Sequence, residues 1–227
     1  QSLANPDSLA LHLPEIDVFD FRRSGYWPDV LCNYMALLGW NPGNDVERFD
    51  TNFLTEHFNL ERIGKANARF DRKKLVAFNA EAISGSTPDS FFEQLVDHDK
   101  QFHHGQHLNI LGPKRFRLFS EAYRPRARTL EEPFVVGRFF FFHVAPSDYD
   151  GKAVAKVLKP NNDEGFELLR QVRIALEALH NDRWTVDAIN EVINKVAASR
   201  GVKLGKVAQP LRVAVSGGTV SPPIDQT

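Results

Sequence analysis

The sequence is short of most features that would place it quickly. It has one cysteine, Cys32, in 227 residues, so no intrachain disulfide framework is possible, and this suits a reducing compartment. No apolar run reaches membrane-spanning length. The most apolar stretch, "FVVGRFFFFHV" (134–144), is too short and carries Arg138. No secretory leader pattern stands at the start, and the expected location is the cytoplasm. Net charge is also lacking: 28 Lys and Arg balance 29 Asp and Glu, and the pI is near 6.8. That excludes a histone-like binder of nucleic acid but leaves room for a local basic face, because affinity follows the charges near the phosphates.

Several chemistries are missing as well. The glycine-containing "GWNPG" and "SGG" lack the spacing of a phosphate-cradling loop and read as turns. No serine sits in the context of a nucleophile elbow, and no pair of acids is spaced for hydrolysis. "HHGQH" (103–107) invites a zinc reading. A structural site wants four suitably spaced ligands, no cysteine is near, and Asp97 or Asp99 could join only through chance geometry. A surface loop without metal is the expectation. No repeat, low-complexity tract or convincing sheet alternation appears beyond brief runs such as "LRVAV".

What is present is a series of short helix patterns in a chain long enough for one or two domains. In "YWPDVLCNYMALLGW", Pro28 suits a first helical position, and Leu31, Tyr34, Met35 and Leu38 share one face, with Cys32 beside it. A short helix is expected with its cap near Thr51, and "DRKKLVAFNAEAI" places Leu75, Phe78 and Ala82 together. Thr87 and Pro88 open the next helix, with Phe91, Phe92, Leu95 and Val96 inward. Residues 101–114 are irregular and read as a loop or boundary. Thr129-x-x-Glu132 predicts a capping box. Leu169, Val172, Leu176 and Leu179 form one amphipathic face; Ile189, Val192, Ile193, Val196 and Ala197 form another, with Thr185 as cap and Trp184 spaced to staple Ile189. The fold class is mostly all-α.

Two charged segments stand out. From Lys195 to Arg212 there are five Lys or Arg and no Asp or Glu. "RFRLFSEAYRPRAR" (115–128) holds five arginines and one acid, Glu121, among aromatics. Arginine and lysine meet phosphates, while planar and apolar groups meet splayed bases, so both segments suit single-stranded RNA. The bland alternatives are a helix-to-turn junction with solvated lysines, and a solvated helix face over a core of Phe116, Phe119 and Tyr123.

Three blocks resemble bacterial-type glutamyl-tRNA synthetases: "DFRRSGYWPDVLCNYMALLGWNPGND" (20–45), "FNLERIGKANARFDRKKLVAFNAEAI" (58–83) and "GVKLGKVAQPLRVAVSGGTVSPP" (201–223). A weaker middle block, "YRPRARTLEEPFVVGRFFF" (123–141), is similar to the family's anticodon-side helices. The resemblance covers about residues 16 to 227. It implies a helical stem-contact domain (1–85) followed by an α-helical cage in two anticodon-binding subdomains (86–150 and 151–227). It implies glutamate tRNA as partner, a monomer, and no role for DNA or membrane. The family's His-Ile-Gly-His-like and Lys-Met-Ser-Lys-Ser-like ATP motifs are not in the sequence, nor is the family's closing helix after "SPPIDQT". The resemblance therefore implies part of a larger glutamate–tRNA ligase, with ATP and Mg²⁺ used by a catalytic domain elsewhere and no cofactor or catalytic residue here.

By the same resemblance, Arg126, Gln209, Arg212, Ser221, Pro222 and Ile224 match positions against anticodon nucleotides. Arg124 and Arg128 are candidates for backbone or base neighbours, Lys203 and Lys206 would serve as phosphate contacts, and Arg22 and Arg23 are weaker candidates near the inner side of the tRNA. Two rivals stay open. One is a synthetase-derived helical protein-interaction module that has lost RNA binding. The other is a relaxed synthetase that also charges glutamine tRNA, against which an arginine at position 126 argues.

Overall fold

A computed structural model describes residues 17–43, 46–64, 68–179 and 184–227. The described residues are helical, with no strand among them and a single isolated bridge between Trp40 and Ile63. The chain divides into two compact units, one ending at Phe134 and the other Val135–Thr227.

In the first unit, α1 (Val18–Arg23) is capped by Asp17, whose carboxylate accepts from Asp20 N. Helix α2 (Pro28–Leu37) opens on the expected proline. It packs on α4 (Arg72–Gly85) around Phe21, Tyr26, Val30, Tyr34, Leu75 and Phe78, with Leu31, Leu38 and Ala82 partly buried there. Met35, expected on this face, is 52% exposed. The buried stripe runs through Val30, Asn33 and Tyr34 instead, one position round from the apolar pattern. Cys32 is exposed, as its place beside that face implies. Helix α3 (Thr51–His57) starts one residue after its cap, Asp50.

Helix α5 (Pro88–His103) has the expected Thr87 cap and buries Phe91 and Leu95 against α6 (Gln106–Tyr123), which contributes Phe116, Phe119 and Tyr123. The loop expected over 101–114 is a correction: α5 runs on to His103, His104 and Gly105 turn the chain through left-handed conformations, and α6 begins at once. The pattern looked irregular because α6 is broken within itself. Gly112 has φ 72 and ψ 159, and Pro113 restarts the helix, so the apolar face rotates there.

Near α7 (Glu132–Val136), Thr129 Oγ1 accepts from Glu132 N as the capping box predicts. The glutamate reaches back to Arg128 N rather than to the cap's own N–H. Gly25 (φ +82) lets this turn approach: a Cβ there would lie 2.4 Å from Leu130 N.

The second unit holds α8 (Gly151–Ala153) continuing into a π-helical turn (Val154–Leu158), then α9 (Pro160–Glu177), α10 (Val186–Ser199) and α11 (Leu204–Ser216). Its core joins Leu168 and Val172 of α9, Ile193, Val196 and Ala197 of α10, and Val207 of α11. Thr185 caps α10 as expected, while Trp184 remains 52% exposed. The run "LRVAV" is helical, within α11.

Candidate nucleic-acid interface

The acid-free segment folds as the end of α10, a turn at Gly201, and the whole of α11. Lys203 and Lys206 are exposed at the start of α11, one turn apart. Lys203 occupies the N-cap position without a side-chain capping bond. The first-turn N–H groups of a 13-residue helix therefore sit beside two cations, a setting that favours anions. Farther along, Pro210 is buried inside α11 and lacks the N–H that would bond the Lys206 carbonyl.

Gln209 precedes that proline. Its Oε1 is buried and has no hydrogen-bond partner among the described residues. An amide oxygen left so costs about 1–3 kcal/mol relative to a paired one.

Arg212, Ser221 and Pro222 meet at the other end of the helix. Arg212 Nε donates to Ser221 Oγ at 2.9 Å, and Ser221 Oγ–H donates to the Pro222 carbonyl at 2.7 Å. Ser221 is only 6% exposed and Pro222 is buried, so both serve the fold of the turn in this conformation. Ile224 packs on the α9–α10–α11 core. Asp225 accepts from Asn190 Nδ2 at 2.8 Å, which ties the turn to α10. Gly217 (φ +76) ends α11 and approaches Asp148 O closely, while Tyr149 donates its hydroxyl to the Ala214 carbonyl at 2.7 Å. The five predicted residues of this segment thus lie on α11 and its following turn.

The arginines of 115–128 divide by what they touch. Arg117 pairs with Asp89 and lies 4.9 Å over the Phe92 ring. Arg124 Nη1 donates to the carbonyls of both Ser84 and Ser86, each at 2.8 Å. Arg128 forks onto Glu132, at 3.0 Å from Nε and 2.8 Å from Nη2. Its carbonyl accepts from the buried Asn79 side chain, whose oxygen accepts in turn from Trp27 N. Arg124 and Arg128 are therefore braces within the first unit. Arg126 is exposed just past α6, on a turn set by Arg126 N bonding to Tyr123 O. Beneath it, burial pushes the Tyr123 phenol up well beyond its ordinary range, so it stays neutral. Arg22 donates to Gln101 Oε1 at 3.1 Å and Arg23 pairs with Asp20 at 3.0 Å, the local acid pairing expected for the second of them.

Of the three histidines in "HHGQH", only His104 is exposed. His103 turns inward, toward His98 and Glu131, neither of which the sequence pattern singled out, and His107 turns inward onto Asp99. His98 lies seven residues after the buried Phe91 on an amphipathic helix, the one signal that could have placed it inside.

The comparisons with known proteins agree on one family. Glutamate–tRNA ligase 1 of Alkalilimnicola ehrlichii is 35% identical over 212 residues, which is 93% of this chain and 42% of that protein. Glutamate–tRNA ligase 2 of Brucella ovis is 35% identical over 206 residues, 89% of this chain and again 42% of that protein. This chain thus spans well under half the length of these curated relatives. A crystal structure of a glutamate tRNA ligase from Elizabethkingia meningosepticum, in complex with its amino acid, matches with a TM-score of 0.69 at 24% identity. It covers 91% of this chain and 38% of that one, a likeness of fold. The family model described as the anticodon binding domain matches residues 90–227, more than half of the chain, and the protein belongs to that family.

Proposed function

We propose that this chain is the tRNA-holding part of a glutamate–tRNA ligase, and that it grips the anticodon arm of glutamate tRNA. The observation that carries the reading is the acid-free helix α11, with Lys203 and Lys206 at its open N-terminus and Gln209, Arg212 and the 221–224 turn along it. Lysines supply phosphate neutralisation. The Gln209 amide oxygen has no hydrogen bond among the described residues to lose on turning outward toward a base edge. Arg212 holds the turn that would face the neighbouring nucleotide. Arg126 is the proposed reader of the third anticodon base. Favouring guanine or cytosine edges by hydrogen bonding there would contribute about 1–3 kcal/mol of discrimination per good bidentate pair.

The mechanism is positional. Binding energy from a remote part of the substrate orients the reacting end of the tRNA. The 227 residues contain neither ATP-holding motif of the family, so they do not fit ATP or its Mg²⁺, and no chemical step is assigned to them. The working compartment in this reading is the cytoplasm, and the working unit is a monomer. Among the described residues no helix is long and apolar enough to cross a membrane.

The test is a salt-titrated binding assay with a glutamate tRNA transcript and the same transcript carrying a changed anticodon. Binding that falls with salt and weakens on the anticodon change supports the reading. Absence of binding at low salt, by chain shown to be folded, would sink it in favour of a protein-interaction module. Equal binding of a glutamine tRNA would point to the relaxed form of the enzyme.

A further inference from the structure

The inner side of the α5–α6 turn brings three metal-ligating groups onto one point. His98 Nε2 and His103 Nε2 each lie 2.9 Å from the same oxygen, Glu131 Oε2. The side chains of His98, His103 and Glu131 are 3%, 20% and 24% exposed, so the group is enclosed but reachable from solvent. Its walls are aromatic: the His98 and His103 rings lie 6.2 and 5.1 Å from that of Phe134, and Phe102 lies 4.9 Å from His98. We propose that His98, His103 and Glu131 form a binding site for a divalent transition ion of the zinc type, with the fourth position left to water or an outside ligand.

The donor set selects the ion class. Two imidazoles and one carboxylate suit zinc, cobalt or nickel. Calcium and magnesium want oxygen on all sides, and no thiolate is present to favour softer ions. The spacing is right as well. A tetrahedral ion with bonds of about 2.0–2.1 Å holds its ligand atoms roughly 3.3 Å apart. The three atoms all lie within 4.8 Å of one another. Spreading the two 2.9 Å contacts by a few tenths of an ångström would admit the ion between them.

The frame is held from outside the site. Asp99, fully buried, accepts from Leu108 N at 3.0 Å and bonds His107 Nδ1 at 2.7 Å, which fixes the turn next to His103. Leu130 N donates to Gly25 O at 3.0 Å, which fixes the residue before Glu131. Pre-set ligands lose little freedom on binding. The zinc reading of "HHGQH" was set aside on ligand count because only near neighbours in sequence were counted. The site takes one of those histidines, one from the preceding turns of α5 and one glutamate 28 residues farther on.

Zinc chloride titrated into the chain against a chromophoric chelator tests the proposal. One equivalent should bind. His103→Ala and Glu131→Gln should each weaken it by more than the roughly 10–100-fold typical of losing a supporting residue around a metal. His104→Ala, which removes an exposed neighbour, should leave it unchanged. Zinc should raise the melting temperature of the parent and of His104→Ala, and not of the other two. Cobalt absorption of the unsubstituted protein reads the ligands whether or not the variants fold: intense tetrahedral bands support the site, and weak octahedral bands overturn it. Binding that survives both ligand substitutions, or is lost with His104, would overturn it too.

Discussion

The guanidinium of Arg212 and the hydroxyl of Ser221 are joined at 2.9 Å across the end of α11, and the same hydroxyl bonds the Pro222 carbonyl. One arginine thus fixes the turn proposed to face the anticodon. Ser221→Ala should cost roughly 1–2 kcal/mol, between a neutral and a charge-assisted hydrogen bond, read as a shift in the urea midpoint. It should also weaken tRNA binding although Arg212 is intact. If Ser221→Ala binds tRNA as the parent does, Arg212 does not act through this turn. Arg212→Lys should resemble Arg212→Ala in binding, since an ammonium cannot reproduce the planar donor set of a guanidinium.

Lys206 predicts a different signature. It is exposed near the open end of α11. Lys206→Ala should weaken cognate and altered anticodons alike, and should flatten the dependence of log K on log salt by about one unit at most. An unchanged salt slope would place Lys206 outside the footprint.

Gln209 separates stability from binding. Replacing a buried polar group that lacks a partner by an apolar group of similar shape is nearly neutral or stabilising. Gln209→Met should therefore leave the urea midpoint level or raise it, while tRNA affinity falls. A loss of stability would mean that the amide oxygen does have a partner in solution.

What the sequence made legible was local. Caps such as Thr87 with Pro88, and the apolar faces of α4, α5 and α10, follow from spacing alone. What it hid was long-range or caused by a break. Gly112 rotates the face of α6, so a helix looked like a loop. Asn79 sits four residues after Leu75 on the buried face of α4, a core position for a polar group. Its bonds to Trp27 N and Arg128 O lie 52 and 49 residues away in sequence, where no periodicity can point. The candidate site divides the same way: the α11 residues are neighbours in sequence and emerge together, whereas the His98–Glu131 contact spans 33 residues and was invisible.

Arg124 shows how a basic segment can mislead. Its Nη1 donates to the Ser84 and Ser86 carbonyls at the C-terminal end of α4, where a cation also meets the negative end of the helix dipole. Arg124→Met keeps the stem and removes the donors. It should lower stability by roughly 1–3 kcal/mol, the range for hydrogen bonds to a charged group, and should leave the salt slope of tRNA binding unchanged. A reduced slope with unchanged stability would return Arg124 to the phosphate contacts.

Arg126 stands two residues on and is set apart by exposure, while Arg124 and Arg128 on either side are committed to Ser84, Ser86 and Glu132. A base reader and a phosphate contact would both lose affinity on truncation, so the mutation alone decides nothing. The discriminating quantity is the ratio between two tRNAs. If Arg126 forks onto the third anticodon base, Arg126→Ala should weaken the cognate transcript by about 1–3 kcal/mol and barely affect one altered at that base, shrinking their ratio toward one. If it only neutralises a phosphate, both transcripts weaken equally and the ratio stands. The unfolding midpoint is read beside the ratio, because a shifted midpoint would show that Arg126 braces the fold as its neighbours do.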